Sequence, residues 1–189
     1  MSLRKIVSGG QTGVDRAALD AALELGISCG GWCPKGRLAE DGRIGARYPL
    51  METSSDDYAE RTERNVRDSD GTLIINRGDQ LAGGTAQTRE VAIRLKKPCL
   101  VADLTDPLPL TTILRWLDTR RISTLNVAGP REIKQPGISA EAYRYLRELF
   151  CSLWSPNPSS FSKERTAQRK IKAAQHGTKT AVKVRSSRR

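Results

Sequence analysis

The first 155 residues contain no histidine, because the one histidine of the chain, His176, lies close to the C-terminal end. A Ser-His-Asp or Cys-His catalytic arrangement is therefore excluded there, and the commonest general base is missing. Any catalysis in that part of the chain would have to use Asp, Glu, Lys or Arg. The sequence also lacks a run of 18 apolar residues, so we predict no transmembrane helix.

Cysteine is sparse as well, with four residues in the chain. Cys29 and Cys33 are separated by three residues rather than the two of a CxxC motif, and no other candidate zinc ligand lies close by. We therefore predict no metal site and no disulfide framework, and interpret the thiols as small buried apolar groups. The N-terminus lacks the apolar stretch of a secretion signal, so we expect a cytoplasmic protein without membrane contact.

The positive charge of the chain is concentrated at its C-terminal end. The net charge is +11, but residues 156–189 carry ten Lys or Arg against one Glu, a balance of +9. Residues 1–155 hold 22 basic and 20 acidic residues, a balance of only +2. We predict a folded domain over residues 1–155 and a basic, disordered tail over residues 156–189. The tail should bind nucleic acid or other polyanions weakly and without sequence preference.

Short apolar strands alternate with amphipathic helices through the predicted domain. A long loop rich in Gly, Pro and charge interrupts them at residues 34–49, and most other connections are short. This alternation predicts an α/β fold of three layers, in which a mainly parallel sheet has helices on both faces. Strands are predicted at 4–8, 27–33, 71–76, 98–104 and 123–129, and helices at 13–26, from about 55, and at 83–97, 109–121 and 139–154.

Three signals predict where helices begin and end. Gly26 is predicted to stop the first helix. Ser54 with Asp57 fits a capping box for a helix from about residue 55, and an overlapping pair one residue earlier fits equally well. Ser139 is predicted to cap the last helix.

Glycine is frequent where the predicted strands pass into helices. The three junctions read SGGQTG at 8–13, GGT at 83–85 and AGPR at 128–131. In a parallel sheet all three lie at the carboxyl edge, where ligands bind and helix N-termini attract anions. None matches GxGxxG or a Walker loop, and glycine that only makes a turn stays the alternative for each single loop. Together they predict a site for a phosphate-bearing ligand, formed by Gly9, Gly10, Thr12, Gly13, Gly83, Gly84, Thr85, Thr88, Gly129 and Arg131.

Charged residues near these loops are candidates for the same site. Asp15 either caps the first helix or accepts hydrogen bonds from a ligand. Glu90 follows Gly83 by seven residues, and faces either a ligand, as a catalytic group, or solvent. Lys35 and Arg37 belong to the long loop, which is either an ordinary solvated loop or a lid whose cations meet phosphate or oxo groups.

Four stretches of the chain stand out in combination: SGGQTGVDRAALDAALELG, GWCPKGRLAEDG, YPLMETSSDDYAERTERNVRDSDGTLII and GGTAQT. Together they resemble the molybdenum-cofactor carrier family, also described as circularly permuted YpsA-like proteins, over residues 4–155. The resemblance implies a Rossmann-like fold, in a superfamily that includes the lysine-decarboxylase-like phosphoribohydrolases and the DNA-processing protein. It also implies that the glycine loops hold the molybdenum cofactor or a nucleotide.

The resemblance leaves three functions in competition. The first is binding or carriage of a phosphate-bearing small ligand. The second is an N-glycosidase acting on nucleoside monophosphates, with Glu90 as its acid, base or ion stabiliser. Gly83 and Glu90 keep the spacing of the hydrolase motif PGGxGTxxE, but its proline, third glycine and threonine are absent from their motif positions, which disfavours hydrolysis. The third is a nucleic-acid-associated protein, disfavoured by the near-neutral domain. Three questions stay open: whether the ligand is a pterin or a purine nucleotide, whether any reaction is catalysed, and whether the chain forms a homo-oligomer.

Overall fold

The structure of the chain, a computed structural model, describes residues 3–154. The predictions of a disordered tail and of polyanion binding fall on residues 156–189 and so lie outside the described residues. In chain order the elements are β1 (Lys5–Val7), α1 (Val14–Glu24), β2 (Ser28–Cys33), β3 (Leu38–Ala39), β4 (Gly42–Arg43), β5 (Leu50–Glu52), α2 (Tyr58–Arg67), β6 (Gly71–Asn76), α3 (Gly83–Arg94), β7 (Cys99–Asp103), α4 (Leu110–Thr119), β8 (Thr124–Ala128) and α5 (Ile138–Trp154).

Six strands form one sheet in the order β5-β2-β1-β8-β6-β7, and every neighbouring pair is parallel. The last strand, β8, lies between β1 and β6, so the chain crosses from one half of the sheet to the other between β5 and β6. Because all six strands are parallel, the chain leaves every strand at the same edge of the sheet. The loops after β1, β6 and β8 therefore lie together at this carboxyl edge. The predicted α/β, Rossmann-like fold with a parallel sheet is confirmed.

Helices cover both faces of the sheet. Helices α1, α4 and α5 share one large hydrophobic cluster with side chains such as Leu73 and Leu125 of the central strands. Helices α2 and α3 contact the opposite face through a small cluster of Val66, Val91 and Ala92. Because side chains alternate along a strand, the residues between the large apolar ones point toward α2 and α3. This alternation brings polar side chains of the central strands to the α2 and α3 face.

The segment predicted as a long loop contains more order than the sequence indicated. It includes a hairpin, β3 with β4, and is followed by the edge strand β5, which the strand pattern did not reveal. Each of these strands is only two or three residues long, which is too short to show the alternation of apolar and polar residues that marks a strand in a sequence. Leu50 of β5 packs with Ile44 and Tyr48 against Leu19 of α1, so the segment has a small core of its own.

Two of the predicted helix caps are wrong. Helix α2 begins at Tyr58 rather than near residue 55, and Asp57 caps it by accepting a hydrogen bond from Ala59 N at 2.8 Å. Ser139 lies inside α5, and its N–H donates to the Glu132 carboxylate at 2.9 Å. A carboxylate from the preceding loop therefore takes the place that was predicted for a serine cap. Gly26 ends α1 as predicted, with a positive φ of 66°.

Within residues 3–154, no helix has the length and apolar character that crossing a membrane requires.

Candidate functional site

The loops that follow β1 and β8 touch each other at the carboxyl edge. Val14 N, at the start of α1, donates a hydrogen bond to Pro130 O at 3.2 Å. A Cβ at Gly13 would lie 2.2 Å from the same oxygen, and a Cβ at Gly129 would lie 2.3 Å from Ile75 O. Both glycines are therefore required by close packing of backbone on backbone, whatever else they do.

Arg61 of α2 lies directly over the first glycine loop. A Cβ at Gly9 would come 1.7 Å from Arg61 Nη1, so the absence of a side chain at Gly9 makes room for the guanidinium. The same nitrogen donates to Asp15 Oδ2 at 2.9 Å, and the two side chains are only 14% and 4% exposed. Arg61 Nε is buried and has no hydrogen-bond acceptor among the described residues. The guanidinium thus keeps an unused donor.

Asp15 does not cap α1. The N-cap position is Gly13, and the Asp15 carboxylate instead accepts from Gln11 N at 3.3 Å and from Arg61. Burial raises the pKa of Asp15, while the charge and hydrogen bond of Arg61 oppose that effect. The carboxylate therefore fixes the position of the arginine and neutralises part of its charge.

Arg61 borders a small, partly open space, here called the arginine cavity. It has room for little more than about one water molecule, so an anionic group could reach its mouth but a heterocycle could not enter it. Its polar lining comes partly from the strand alternation described above, since Asn126 of β8 faces α2 and α3 and donates to Thr72 Oγ1 at 3.2 Å. The lining residues are Gly9, Asp15, Arg61, Thr62, Asn65, Thr88, Asn126, Val127 and Ala128.

A second arginine reaches the same region from the loop after β8. Arg131 Cζ lies 4.7 Å from the centre of the Tyr58 ring, and Arg61 Cζ lies 5.8 Å from it. Arg131 is half-buried, and within residues 3–154 no carboxylate or carbonyl accepts a hydrogen bond from its guanidinium. Among the described residues its guanidinium contacts the face of Tyr58 and has no carboxylate as a counter-ion.

Helix α3 begins close to the arginine cavity, because Thr88 belongs to both. Gly83 has a φ of +52°, and no atom lies within 4 Å of where a Cβ on Gly83 or Gly84 would be. The N-terminal turn of the helix is therefore open, with its first N–H groups directed away from the helix body. Thr85 and Thr88 are buried, and Thr88 Oγ1 donates back to Gly84 O at 2.8 Å.

Glu90 faces solvent. It lies about 200° around α3 from Thr88, which is the buried side of the helix. Glu90 is not among the residues that line the arginine cavity, so its catalytic role stays a prediction.

The predicted cations of the long loop have separate positions. Arg37 donates to four backbone oxygens at 2.9–3.1 Å, those of Ile44, Gly45, Tyr48 and Leu50. Its guanidinium organises the loop and has little capacity left for a ligand. Lys35 is exposed. Gly10 packs beneath this loop with a φ of +74°, where a Cβ would lie 2.4 Å from Leu50 Cδ1.

Thr12 and Gly13 line a different and larger space, here called the open cleft, with a volume of about 710 Å³. Its two arginines are already paired. Arg16 contacts Asp41 through two hydrogen bonds, and Arg47 donates to Asp20 at 2.8 Å. The remaining lining residues are Glu40, Tyr48, Glu132, Ile133, Pro136 and Ser139.

Glu40 joins the long loop to both glycine loops at the open cleft. Its Oε1 accepts from Thr12 Oγ1 and from Ile133 N at 3.3 Å, while its N–H donates to Gln11 Oε1 at 2.9 Å. The structure thus divides the predicted residues between two places. Gly9, Asp15 and Thr88 line the arginine cavity, with Arg131 nearby, whereas Thr12 and Gly13 line the open cleft.

Sequence reasoning missed Arg61, Tyr58 and Asn126. The one available signal was the spacing of Tyr58 and Arg61, three residues apart at the start of a helix that follows a strand. That spacing puts both side chains on one helix face near the carboxyl edge. In the part of the chain that the structure describes, no group of three or more His, Cys, Asp or Glu side chains is arranged to hold a metal ion.

The comparisons with known proteins agree on one family. The model of the circularly permutated YpsA SLOG family matches residues 6–150. A solved structure of a protein from Syntrophus aciditrophicus SB, provisionally named a molybdenum carrier protein, is 50% identical in sequence and superposes with a TM-score of 0.75. That match covers 79% of this chain and 95% of the other. No curated protein matches this chain.

Proposed function

The chain belongs to the circularly permutated YpsA SLOG family, and on that premise we propose that it binds a phosphate-bearing small ligand at the mouth of the arginine cavity. The observation that carries the proposal is Arg61, which is held by Asp15 over Gly9 and keeps a buried Nε donor that has no acceptor within residues 3–154. A buried donor of this kind is rare in proteins and is commonly satisfied by a ligand, an ion or a water.

The balance of charge supports an anion. Asp15 offers one negative charge against the positive charges of Arg61 and Arg131, so the region carries an excess of about one positive charge. The open first turn of α3 adds the positive end of a helix dipole and free N–H groups. Arginine suits phosphate in particular, since its planar donors match two phosphate oxygens at once.

We propose further that the ligand is carried rather than converted, and that it is the molybdenum cofactor or a nucleotide of similar size. The name of the Syntrophus aciditrophicus relative supports the first choice. Arg61 and the start of α3 would hold the phosphate, and Arg131 would meet further oxygens. The heterocycle and its molybdenum would stay outside the cavity, because the cavity has room for little more than about one water molecule.

The hydrolase alternative has weaker support in the site. An N-glycosidase needs an acid or base beside the glycosidic bond, and Glu90 faces solvent on the opposite side of α3 from Thr88. Release of free base from a nucleoside monophosphate, lost in Glu90→Gln, would nevertheless favour that function over carriage.

The first experiment is to purify the full chain and identify any copurifying small molecule by mass spectrometry and absorbance. The second is calorimetric titration with AMP and with inorganic phosphate. Arg61→Gln should weaken binding of both probes by roughly 10- to 100-fold, the value of a hydrogen bond to a charged group. Arg47→Gln is the matched control, because Arg47 lines the open cleft and should leave both affinities unchanged.

Arg61→Gln also leaves Asp15 without its partner, so a loss of binding could follow from local unfolding. The double variant Asp15→Asn with Arg61→Gln removes both charges and separates the two causes. Weak binding in a double variant with normal circular dichroism supports the proposal. Full affinity in the folded double variant, or a loss of equal size in Arg47→Gln, contradicts it.

A further inference from the structure

We infer that Tyr58 is a positioning residue, which holds Arg131 in place for an anion at the mouth of the arginine cavity. This inference rests on the proposed function of that site. It assigns a role to a residue that the sequence pattern did not single out, and it concerns the face of the ring rather than its hydroxyl group.

Tyr58 is itself firmly placed. It is the first residue of α2, where Asp57 caps the helix, and its backbone oxygen accepts a hydrogen bond from Thr62 Oγ1 at 2.9 Å. Arg61 follows one turn later on the same helix, and its guanidinium carbon lies 5.8 Å from the ring centre. The backbone of Tyr58 is therefore fixed at the start of α2, and its ring lies beside the guanidinium of the buried Asp15–Arg61 pair.

Arg131 lies in a loop whose backbone is also fixed. Its oxygen accepts from Lys134 N and from Gln135 N, both at 3.1 Å, and the next residue, Glu132, donates through its N–H to Thr12 Oγ1 at 3.3 Å. The side chain of Arg131 has no such restraint. Among residues 3–154 its guanidinium has the Tyr58 ring, at 4.7 Å, and no hydrogen-bond acceptor.

The other half-buried arginines differ in this respect. Arg16, Arg64 and Arg77 each pair with a carboxylate, and Arg37 donates to backbone oxygens. An aromatic face attracts a guanidinium without using its N–H donors and without neutralising its charge. Arg131 is therefore oriented and still able to donate to an anion. A long side chain oriented in advance loses less conformational freedom on binding, which increases affinity.

Two readouts test the inference. The first uses no ligand: the Nε–H signal of Arg131 in an NMR spectrum, assigned with Arg131→Gln, should be shifted by the ring current of Tyr58. The shift should persist in Tyr58→Phe and disappear in Tyr58→Leu. The second is calorimetric titration with AMP, for which Tyr58→Leu should lower the affinity by up to roughly tenfold, the cost of ordering one long side chain on binding, while Tyr58→Phe should retain it.

A double-mutant cycle separates positioning from direct contact with the probe. If Tyr58 acts through Arg131, Tyr58→Leu should have little further effect on AMP affinity in an Arg131→Gln background. Additive effects would overturn the inference, because they would mean that the ring touches AMP itself. Equal losses in Tyr58→Phe and Tyr58→Leu would overturn it by assigning the effect to the hydroxyl.

The failure of this inference can be told from failure of the proposed function. A wild-type protein that binds neither AMP nor inorganic phosphate contradicts both. A wild-type protein that binds AMP, with Tyr58→Leu binding equally well, contradicts only the role of Tyr58. Arg47→Gln is the matched control, since Arg47 stacks on Tyr48 at the same distance of 4.7 Å and should not change AMP affinity.

Discussion

The arginine cavity and the open cleft both border the start of α1, yet their arginines are in opposite situations. In the open cleft, which is the larger, Arg16 and Arg47 are each paired with a partly exposed carboxylate. Beside the arginine cavity, Arg61 keeps an unused buried donor and Arg131 has no carboxylate partner among the described residues. The arginine cavity therefore suits an anion better than the open cleft because its arginines have unused donors and unpaired charge, although its volume is smaller.

The two regions also differ in what their ion pairs do for stability. The pair of Arg61 and Asp15 is buried, so removal of one partner leaves a charge in a poorly solvated place. The pairs of the open cleft are partly exposed, and water and salt weaken their interaction. The same chemical groups thus hold the fold together in one region and contribute little in the other.

The largest effect is expected from Asp15→Asn. This change leaves Arg61 buried without a counter-ion and should lower the free energy of unfolding by about 3–5 kcal/mol. The matched change in the open cleft, Asp20→Asn, should cost less than about 1 kcal/mol, because Asp20 pairs with an arginine that is 67% exposed. Chemical denaturation of the two variants measures both values. Equal costs would mean that burial does not separate the two regions as described.

A smaller effect is expected from glycine substitutions, and it depends on which glycine is changed. Gly10→Val introduces a Cβ 2.4 Å from Leu50 at a φ of +74°, and should cost about 2–4 kcal/mol of stability through overpacking and backbone strain. Gly84→Val enters open space, so its stability cost should stay below about 1 kcal/mol. Its effect should instead fall on phosphate binding, because the new side chain covers the first turn of α3.

Thermal unfolding and titration with inorganic phosphate, made on both variants, test this pair. Gly84→Val is the informative binding variant, and Gly10→Val reports mainly on packing beneath the long loop. A Gly84→Val protein that is stable and binds phosphate normally would show that the start of α3 takes no part in the site.

Much of the fold follows from local patterns in the sequence. Continuous apolar runs such as GTLIIN predict buried parallel strands, and each is observed in the sheet. The glycine junctions predict the carboxyl edge, because any parallel sheet brings its strand ends to one side. The short strand β5 and the hairpin of β3 and β4 produce no periodic pattern, and these are the elements that sequence reasoning did not find.

The site was harder to predict, for a physical reason. Arg61 lies over Gly9 on the helix that connects β5, at one edge of the sheet, with β6 beyond β8, so its position depends on the order of the strands. Strand order depends on long-range packing that no local pattern records. Arg37 gives the converse case: its charge in a glycine-rich loop suggests a ligand, but four backbone oxygens take its donors.

The smallest effect concerns pH and the open cleft. The hydrogen bonds from Arg16 hold the pKa of Asp41 below its usual value of 3.8, and its charge adds to that effect. A carboxylate with a lowered pKa in the folded state stabilises the protein above its unfolded pKa, and loses that contribution as pH falls through the folded pKa. Asp41 is 49% exposed, so the contribution should be below about 1 kcal/mol.

The difference in unfolding free energy between wild type and Asp41→Asn should therefore be constant from neutral pH down to about pH 5, and should shrink toward about pH 2. High salt should reduce it at every pH, since the pair is open to solvent. Denaturation curves of wild type and Asp41→Asn across this pH range, at low and at high salt, measure that difference. A difference that stays constant down to about pH 2, or that high salt leaves unchanged, would contradict the description of Arg16 and Asp41 as a solvated pair in the open cleft.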